Sequence, residues 1–361
     1  MSATRTTILA VAAVVLFAAQ SHAAGTAAGT SISNQASVDY TVGGVNQPDV
    51  NSNTVTFLTD RRINLTVAEV GGAYTNVAPG ATAQVLTFTV TNTTNAPLDL
   101  RLDVSQDNGG NDAFGNSDDF DVTAPVAYVD SNNNGVYDAA DTATYIDELA
   151  ADGSKTVFIV ANIPLGRANA ETAGLTLTAI AAEPGVGGTL GGDVTQTAGA
   201  DTPGSVDTVF GDLAGDTDAA RDGKFSDDDA YRIQTATIAV TKTSTVISDP
   251  FNGISPNAKR IPGAIIEYCV TVQNNGSAPA TAVVVTDVLT GQPVTYQTGT
   301  LFTEDTGTTC SGGDAEDEDA AGTDETNPNG GSEASGTVAA TFANLPAGAG
   351  KAMRFRVMIN N

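Results

Sequence analysis

Apolar residues fall on every second position in several stretches of this chain. In Leu86-Thr87-Phe88-Thr89-Val90-Thr91 they alternate with threonine, the period of a strand with one face on a core and the other in water. Tyr268, Val270 and Val272 stand in opposite phase to Cys269, Thr271 and Gln273, and Met353, Phe355, Val357 and Ile359 alternate with Arg354 and Arg356. This patterning predicts strands over residues 63–67, 83–92, 98–104, 120–128, 156–163 and 175–182, and two more over 31–42 and 53–58 around a GGVNQPD turn. A sheet that is apolar on one face cannot bury that face alone, so two sheets must pack together. The expected fold is all-β, with sandwiches joined by Greek-key connections.

The pattern occurs twice. Pro79-Gly80, a β-rich run, Asn92 and Pro97 in the first half correspond to Pro262-Gly263, a β-rich run, Asn274 and Pro279 in the second. Leu149, Gly153 and Lys155 before TVFIVANI likewise match Leu345, Gly348 and Lys351 before AMRFRVMI. Two copies of one module follow. The layout reads as a leader over 1–23, a strand-rich segment over 24–61, a first module over 62–186, an acidic Gly/Asp-rich connection over 187–232, and a second module with an acidic insertion over 233–361.

In the second copy IAVTKTSTV is followed by IPGAIIEYCVTVQNNGSAPATAVVVTDVL. The Thr-Lys-Thr opening, the Pro-Gly, the Tyr-x-Val-x-Val-x-Asn-x-Gly run and the Val-Val-Val-Thr-Asp strand end resemble the conserved-repeat domain of bacterial surface proteins, an immunoglobulin-like module catalogued as domain of unknown function number eleven. The resemblance covers residues 236–361. It implies tandem immunoglobulin-like sandwiches with a structural role at the cell surface or outside the cell, and it brings no catalytic residues. The first copy departs from the pattern, with Val67-Ala68 where the second has Lys242-Thr243; only Asp103-Val104 matches the Asp287-Val288 strand end.

The N-terminus changes the picture of compartment. Arg5, an apolar run over 8–19 and Ser21-His22-Ala23 read as an export leader with Ala24 as the mature start. No later stretch is apolar for long enough to span a membrane as a helix, and the C-terminal strand 353–360 is followed by no hydrophobic tail. The expectation is an exported protein, extracellular or on the cell surface, with no direct membrane insertion after cleavage.

The leader contains the only histidine, His22, and one of the 15 basic residues. Ser-His-Asp and Cys-His catalysis and imidazole zinc sites are thereby excluded from the mature chain. With 42 acidic residues and a formal charge of −27 before cleavage, the chain lacks the clustered cations that nucleic acid or an anionic membrane requires. A carboxylate-pair glycosidase is disfavoured by zero Trp and 6% aromatics, which leave little surface on which a sugar could stack. The expected partners are further copies of this chain or other surface proteins.

One motif carries chemistry. In Asp130-Ser131-Asn132-Asn133-Asn134-Gly135-Val136-Tyr137-Asp138-Ala139-Ala140-Asp141, Asp130, Asn132, Asn134, Asp138 and Asp141 occupy loop positions 1, 3, 5, 9 and 12. Gly135 stands at 6 and the Val136 carbonyl at 7, the spacing that wraps one calcium ion. Asp in place of Glu at the last position shortens the reach and points to affinity of about 10⁻⁴–10⁻³ M. An Asn-rich hairpin turn is the competing reading. A less complete match uses Asp218, Asp222, Ser226 and Asp229, with Ala220 in place of an oxygen ligand, and competes with a solvated linker. The acidic run 304–325 has no such spacing and reads as a mobile loop. Cys269 and Cys310, two cysteines in one exported module, are expected to pair.

The function expected from these features is an exported, non-catalytic structural or adhesive surface protein, with calcium and a disulfide as stiffening elements. The alternative is a filament subunit in which residues 24–61 complete a neighbour's sheet by strand exchange; the competing reading of those strands places them in the first sandwich of the same chain.

Overall fold

The first described strands run out and back as one long hairpin. In the computed structural model, which describes residues 25–316, 318 and 329–361, β1 (Ser31–Asn34) pairs with β6 (Val55–Leu58), β2 (Ser37–Val38) with β5 (Val50–Asn51), and β3 (Thr41–Val42) with β4 (Val45–Asn46), all antiparallel. Gly43 and Gly44 form the tip with φ of 58° and 83°, the consecutive positive values that a two-residue hairpin turn needs if it is to follow strand twist. The expected leader, residues 1–23, lies outside the described residues.

The first unit contains β7 (Arg61–Ile63), β8 (Leu65–Glu69), β9 (Thr75–Val77), β10 (Gln84–Asn92), β11 (Leu98–Gln106), β12 (Thr123–Val129), β13 (Tyr145–Leu149), β14 (Ser154–Asn162), β15 (Thr172–Ala182), β16 (Thr208–Phe210) and β17 (Lys224–Ile233). One sheet runs β12-β14-β10-β8 and the other β13-β11-β15-β17-β9, while β7 and β16 form a short parallel pair. The inward positions of the alternating runs meet between the sheets, where Leu65, Phe88, Val90, Leu100, Ile159 and Leu177 are buried in one cluster. Each such side chain contributes about 1.5–3 kcal/mol on burial.

The stretch 187–232, expected as a connection between modules, is largely part of this unit. Val194 joins the core, and β17 pairs with β15 over nine positions from Thr172↔Arg232 to Ile180↔Lys224. Tyr231 and Ile233 are buried, and the Tyr231 hydroxyl donates to the Gln84 carbonyl at 2.9 Å. The strand was hidden because Asp227-Asp228-Asp229 breaks the apolar alternation in the middle of KFSDDDAYRI.

The second unit contains β18 (Ile238–Asp249), β19 (Gly253–Ile254), β20 (Ile265–Asn274), β21 (Ala280–Val288), β22 (Val294–Tyr296), β23 (Phe302–Glu304), β24 (Asp314–Ala315), β25 (Asn329–Ala334), β26 (Thr337–Leu345) and β27 (Gly350–Ile359). One sheet runs β19-β18-β20-β27-β23-β24 with β22 also on β27, and the other β21-β26-β25. Val272, Leu301, Phe342, Met353, Phe355 and Val357 fill its separate core. The chain is therefore a tandem of β-sandwiches, antiparallel except where β9 joins β17 and β7 joins β16, and immunoglobulin-like in sending consecutive strands (β10 to β11, β20 to β21) into opposite sheets.

The repeat markers have a structural reason. Asn92 and Asn274 are both fully buried. The Asn92 amide donates to the carbonyls of Ala96 (3.0 Å) and Leu149 (2.8 Å) and accepts from Thr94 N (2.9 Å). Asn274 donates to Ala278 (2.8 Å) and Leu345 (3.1 Å) and accepts from Gly276 N (3.0 Å). Each asparagine pins the turn that carries the chain across to the other sheet.

The two ends of the first unit make different contacts. At the turn after β10, the Asn95 side chain donates to the carbonyls of Thr26 (2.9 Å) and Asp60 (2.8 Å), holding the hairpin root. At the opposite end, Ser277 N and Asn275 N of the second unit donate to Thr235 O (3.1 Å) and Thr237 O (2.7 Å), and the Ser277 hydroxyl donates to Asn169.

Candidate metal centre

The loop 130–141 connects β12 to β13, so its first residue directly follows one strand, with Asp130 N donating to Thr156 O at 3.0 Å, and its last lies four residues before the next. Tyr137 fixes the middle by packing on Tyr128 (ring centroids 5.5 Å apart) and Phe158 (6.0 Å). Asn133 and Gly135 take φ of 55° and 76°, left-handed values that asparagine and glycine tolerate. The chain thereby curls around its own oxygen-bearing side chains.

Asp130 and Asp141 are 2% exposed. Asp130 accepts from Asn134 N (3.2 Å) and Gly135 N (2.8 Å), and Asp141 from Ser131 N and Asp138 N (both 2.9 Å). The amide oxygens of Asn132 and Asn134 accept from Asn134 N (3.0 Å) and Val136 N (2.8 Å). Asp138 is held below the usual carboxylate range, first by the Ala140 N–H at 2.7 Å and then by the amides of Asn132 and Asn134. Neither Asp130 nor Asp141 has an ion-pair partner among the described residues. Two buried carboxylates in an all-oxygen loop, satisfied only by N–H donors, suit a hard divalent cation.

The carboxylates of Asp130, Asp138 and Asp141 are not among the trios whose oxygens approach within 4.8 Å of one another. Two trios do converge: Asp60, Asp201 and Asp207 at the hairpin root, and Asp216, Asp227 and Asp228 beside β17. Sequence spacing could not find the first, because Asp60 stands far along the chain from Asp201 and Asp207; the second lies within 13 residues but does not follow a loop-wrapping spacing.

The second loop match is not assembled. Ser226 and Asp229 stand on β17, three residues apart and therefore on opposite faces, opposite Thr178 and Leu175 of β15. The Ser226 hydroxyl donates to Asp218, while Asp222 accepts from Lys224 N (3.1 Å) and Asp229 from Ala230 N (2.6 Å). A strand here leaves no twelve-residue loop to wrap an ion.

Much of the acidity serves the fold. Asp99 accepts from the backbone N–H groups of Glu148, Gly185 and Gly191, Asp212 from Asp222 and Gly223, and Asp249 from Phe251, Asn252 and Lys259. The acidic run in the second unit, expected as a loose loop, is ordered over its described part. Asp314–Ala315 forms β24, and Glu318 accepts from the Tyr296 hydroxyl (2.6 Å) and from Gly299, Thr300 and Leu301 N. Residues 319–325 of that run lie outside the described residues. Cys269 on β20 and Cys310 are joined in a disulfide, with Cα atoms 5.9 Å apart.

The sequence matches no family model and no curated protein. Among solved structures the chain is similar to the C-terminal domain of the AgI/II polypeptide BspA of Streptococcus agalactiae, at 9% identity and a TM-score of 0.35 over 82% of this chain and 91% of that one. It is also similar to the collagen adhesin CNA from S. aureus, at 12% identity and a TM-score of 0.22 over 84% of each chain. At these scores the sandwich assignment rests on the strand pairings of this chain itself.

Proposed function

We propose that this chain is an exported, non-catalytic structural or adhesive protein of the cell surface, whose first sandwich is stiffened by calcium bound in the loop 130–141. The observation that carries the calcium reading is the pair of buried, cation-free carboxylates Asp130 and Asp141 in an oxygen-only loop. An ion that binds the folded chain alone stabilises it by mass action. At about 10 mM calcium and a Kd of about 10⁻³–10⁻⁴ M the gain is about 1.4–2.7 kcal/mol. Calorimetry of the mature protein should show the first unit melting several degrees higher in calcium than in EDTA. Asp130→Ala with Asp141→Ala should abolish the difference, and an unchanged response would reduce the loop to a turn.

One observation favours a second reading, a filament subunit assembled by strand exchange. The hairpin β1–β6 is exposed on both faces along nearly its whole length, and a two-stranded hairpin with no third strand is marginal in water. Such an element gains most of its stability from a sheet it joins. Sedimentation of the mature protein over a wide concentration range checks this reading: assembly above monomer supports it and monomer throughout removes it.

A further inference from the structure

The two sandwiches share a register but not a complement of strands. β8 pairs with β10 so that Leu65 lies opposite Asn92 and Val67 opposite Val90; β18 pairs with β20 so that Ile238 lies opposite Asn274 and Val240 opposite Val272. Leu65 and Val67 are 0% and 3% exposed, whereas Ile238 and Val240 at the same two positions are 42% and 61% exposed. The difference lies in the facing sheet. β11 and β21 are also equivalents, since Leu98↔Leu149 and Leu100↔Ile146 match Ala280↔Leu345 and Val283↔Phe342. The other edge of β11 carries β15 and then β17, which lie over β8, but no described strand pairs with that edge of β21. A cleft of about 460 Å³, lined by Ile266, Tyr268 and Leu289 among others, opens there between β18 and β21. Among the described residues the second sandwich has no counterpart of β15 and β17 over its core.

The hairpin β1–β6 is a two-stranded antiparallel element, as β15–β17 is, and it is the one such element without a sheet among the described residues. Val38, Val42, Val50, Val55 and Phe57 are each more than half exposed. Its arms, of about 14 residues at ~3.4 Å each, reach roughly 45 Å, more than the length of β21. Asp39 and Asp49 are the charged residues of 25–59, while the cleft presents Arg260 together with Lys242 and Asp287, which pair with each other; by strand register Lys242 stands where the first unit has Glu69, two positions away from the sequence match of Lys242-Thr243 to Val67-Ala68. The hairpin root sits at the Asn95 end of the first unit and the second unit at its Asn169 end, separated by the nine-residue strand β10. Among the described residues the hairpin pairs with no strand of its own second unit, which leaves it free for the cleft of another copy.

We propose that the hairpin of one copy docks along the free edge of β21 and across β18 in the second unit of another copy, filling the place that β15 and β17 hold in the first unit. This rests on the filament reading above and names its acceptor. Because donor and acceptor are different surfaces at opposite ends, the contact repeats head to tail and yields an open filament.

The test is complementation between two full-length variants. A chain lacking residues 25–59 keeps the acceptor, and a Val240→Asp, Val288→Asp chain keeps the hairpin. Each alone should remain monomeric in sedimentation, and the two mixed should form a 1:1 dimer. As a milder check, Lys242→Glu should raise the concentration needed for assembly about tenfold, and Asp39→Lys with Asp49→Lys in the same chain should restore it. Wild-type protein that stays monomeric overturns the filament reading and this site with it. Wild-type protein that assembles while the Lys242→Glu and Val240→Asp, Val288→Asp chains assemble equally well leaves the filament and overturns the acceptor. The unit-two melting transition of each variant shows whether a loss of assembly reflects unfolding instead, and the charge-reversal pair keeps the site testable in that case.

Discussion

Asn92 and Asn274 show how one residue can specify a crossing between sheets. Asn92 satisfies the carbonyls of Ala96, Leu149 and Ala150 and the Thr94 N–H, and Asn274 the carbonyls of Ala278 and Leu345 and the N–H groups of Thr237 and Gly276, groups that the turn would otherwise bury without partners. Removing the side chain leaves those groups unpaired, at a cost of about 2–3 kcal/mol. Asn274→Ala should therefore lower the denaturant midpoint of the second unit and leave the first unit unchanged, with Asn92→Ala doing the reverse. Fluorescence and calorimetry that resolve the two transitions check this, and equal shifts of both would show that the units do not melt separately. The spacing of these asparagines was visible in the sequence; their role was not, because it depends on Leu149 and Leu345, more than fifty residues away.

At the scale of elements, strands whose alternation was intact were legible, such as β10 with Leu86, Phe88 and Val90 inward. β17 was not, since three consecutive aspartates occupy its middle and only its pairing with β15 explains why they are tolerated. The loop 130–141 was legible because its donors follow a twelve-residue wrapping spacing, whereas the trio at Asp60 joins distant residues and the trio at Asp216 follows no such spacing. The acidic strand has a consequence for pH. Burial first, then Asp216 and other nearby carboxylates, pushes Asp228 up to about 7; burial, Glu69, Asp228 and Asp227 push Asp229 up to about 7. A carboxyl that holds its proton more tightly when folded stabilises the fold fully below its unfolded pKa near 4, and that stability is lost as pH rises through about 7. In EDTA the first unit should melt lower at about pH 8 than at about pH 5. Asp229→Asn, which keeps the acceptor for Ala230 N, should recover about 2 kcal/mol at the higher pH. A pH-independent first transition in the wild type would contradict the assignment.

At the scale of the whole molecule, acidity is divided between solvent and the fold: aspartates such as Asp99, Asp212 and Asp249 hold loops by accepting backbone N–H bonds, and the remainder keeps the surface negative. The tandem arrangement itself was legible from the repeated Pro-Gly and Asn markers. Its asymmetry was not, because the extra strands of the first unit come from a stretch whose composition reads as a linker. The disulfide adds a mechanical property. A chain drawn out by force lengthens by about 3.3–3.6 Å for each residue released, but the segment between Cys269 and Cys310, 41 residues apart, stays closed while the bond is intact. In single-molecule stretching, rupture of the second sandwich should release roughly 140 Å less chain in oxidised protein than in reduced protein, so that oxidation fixes how far this part of the chain yields before it stops.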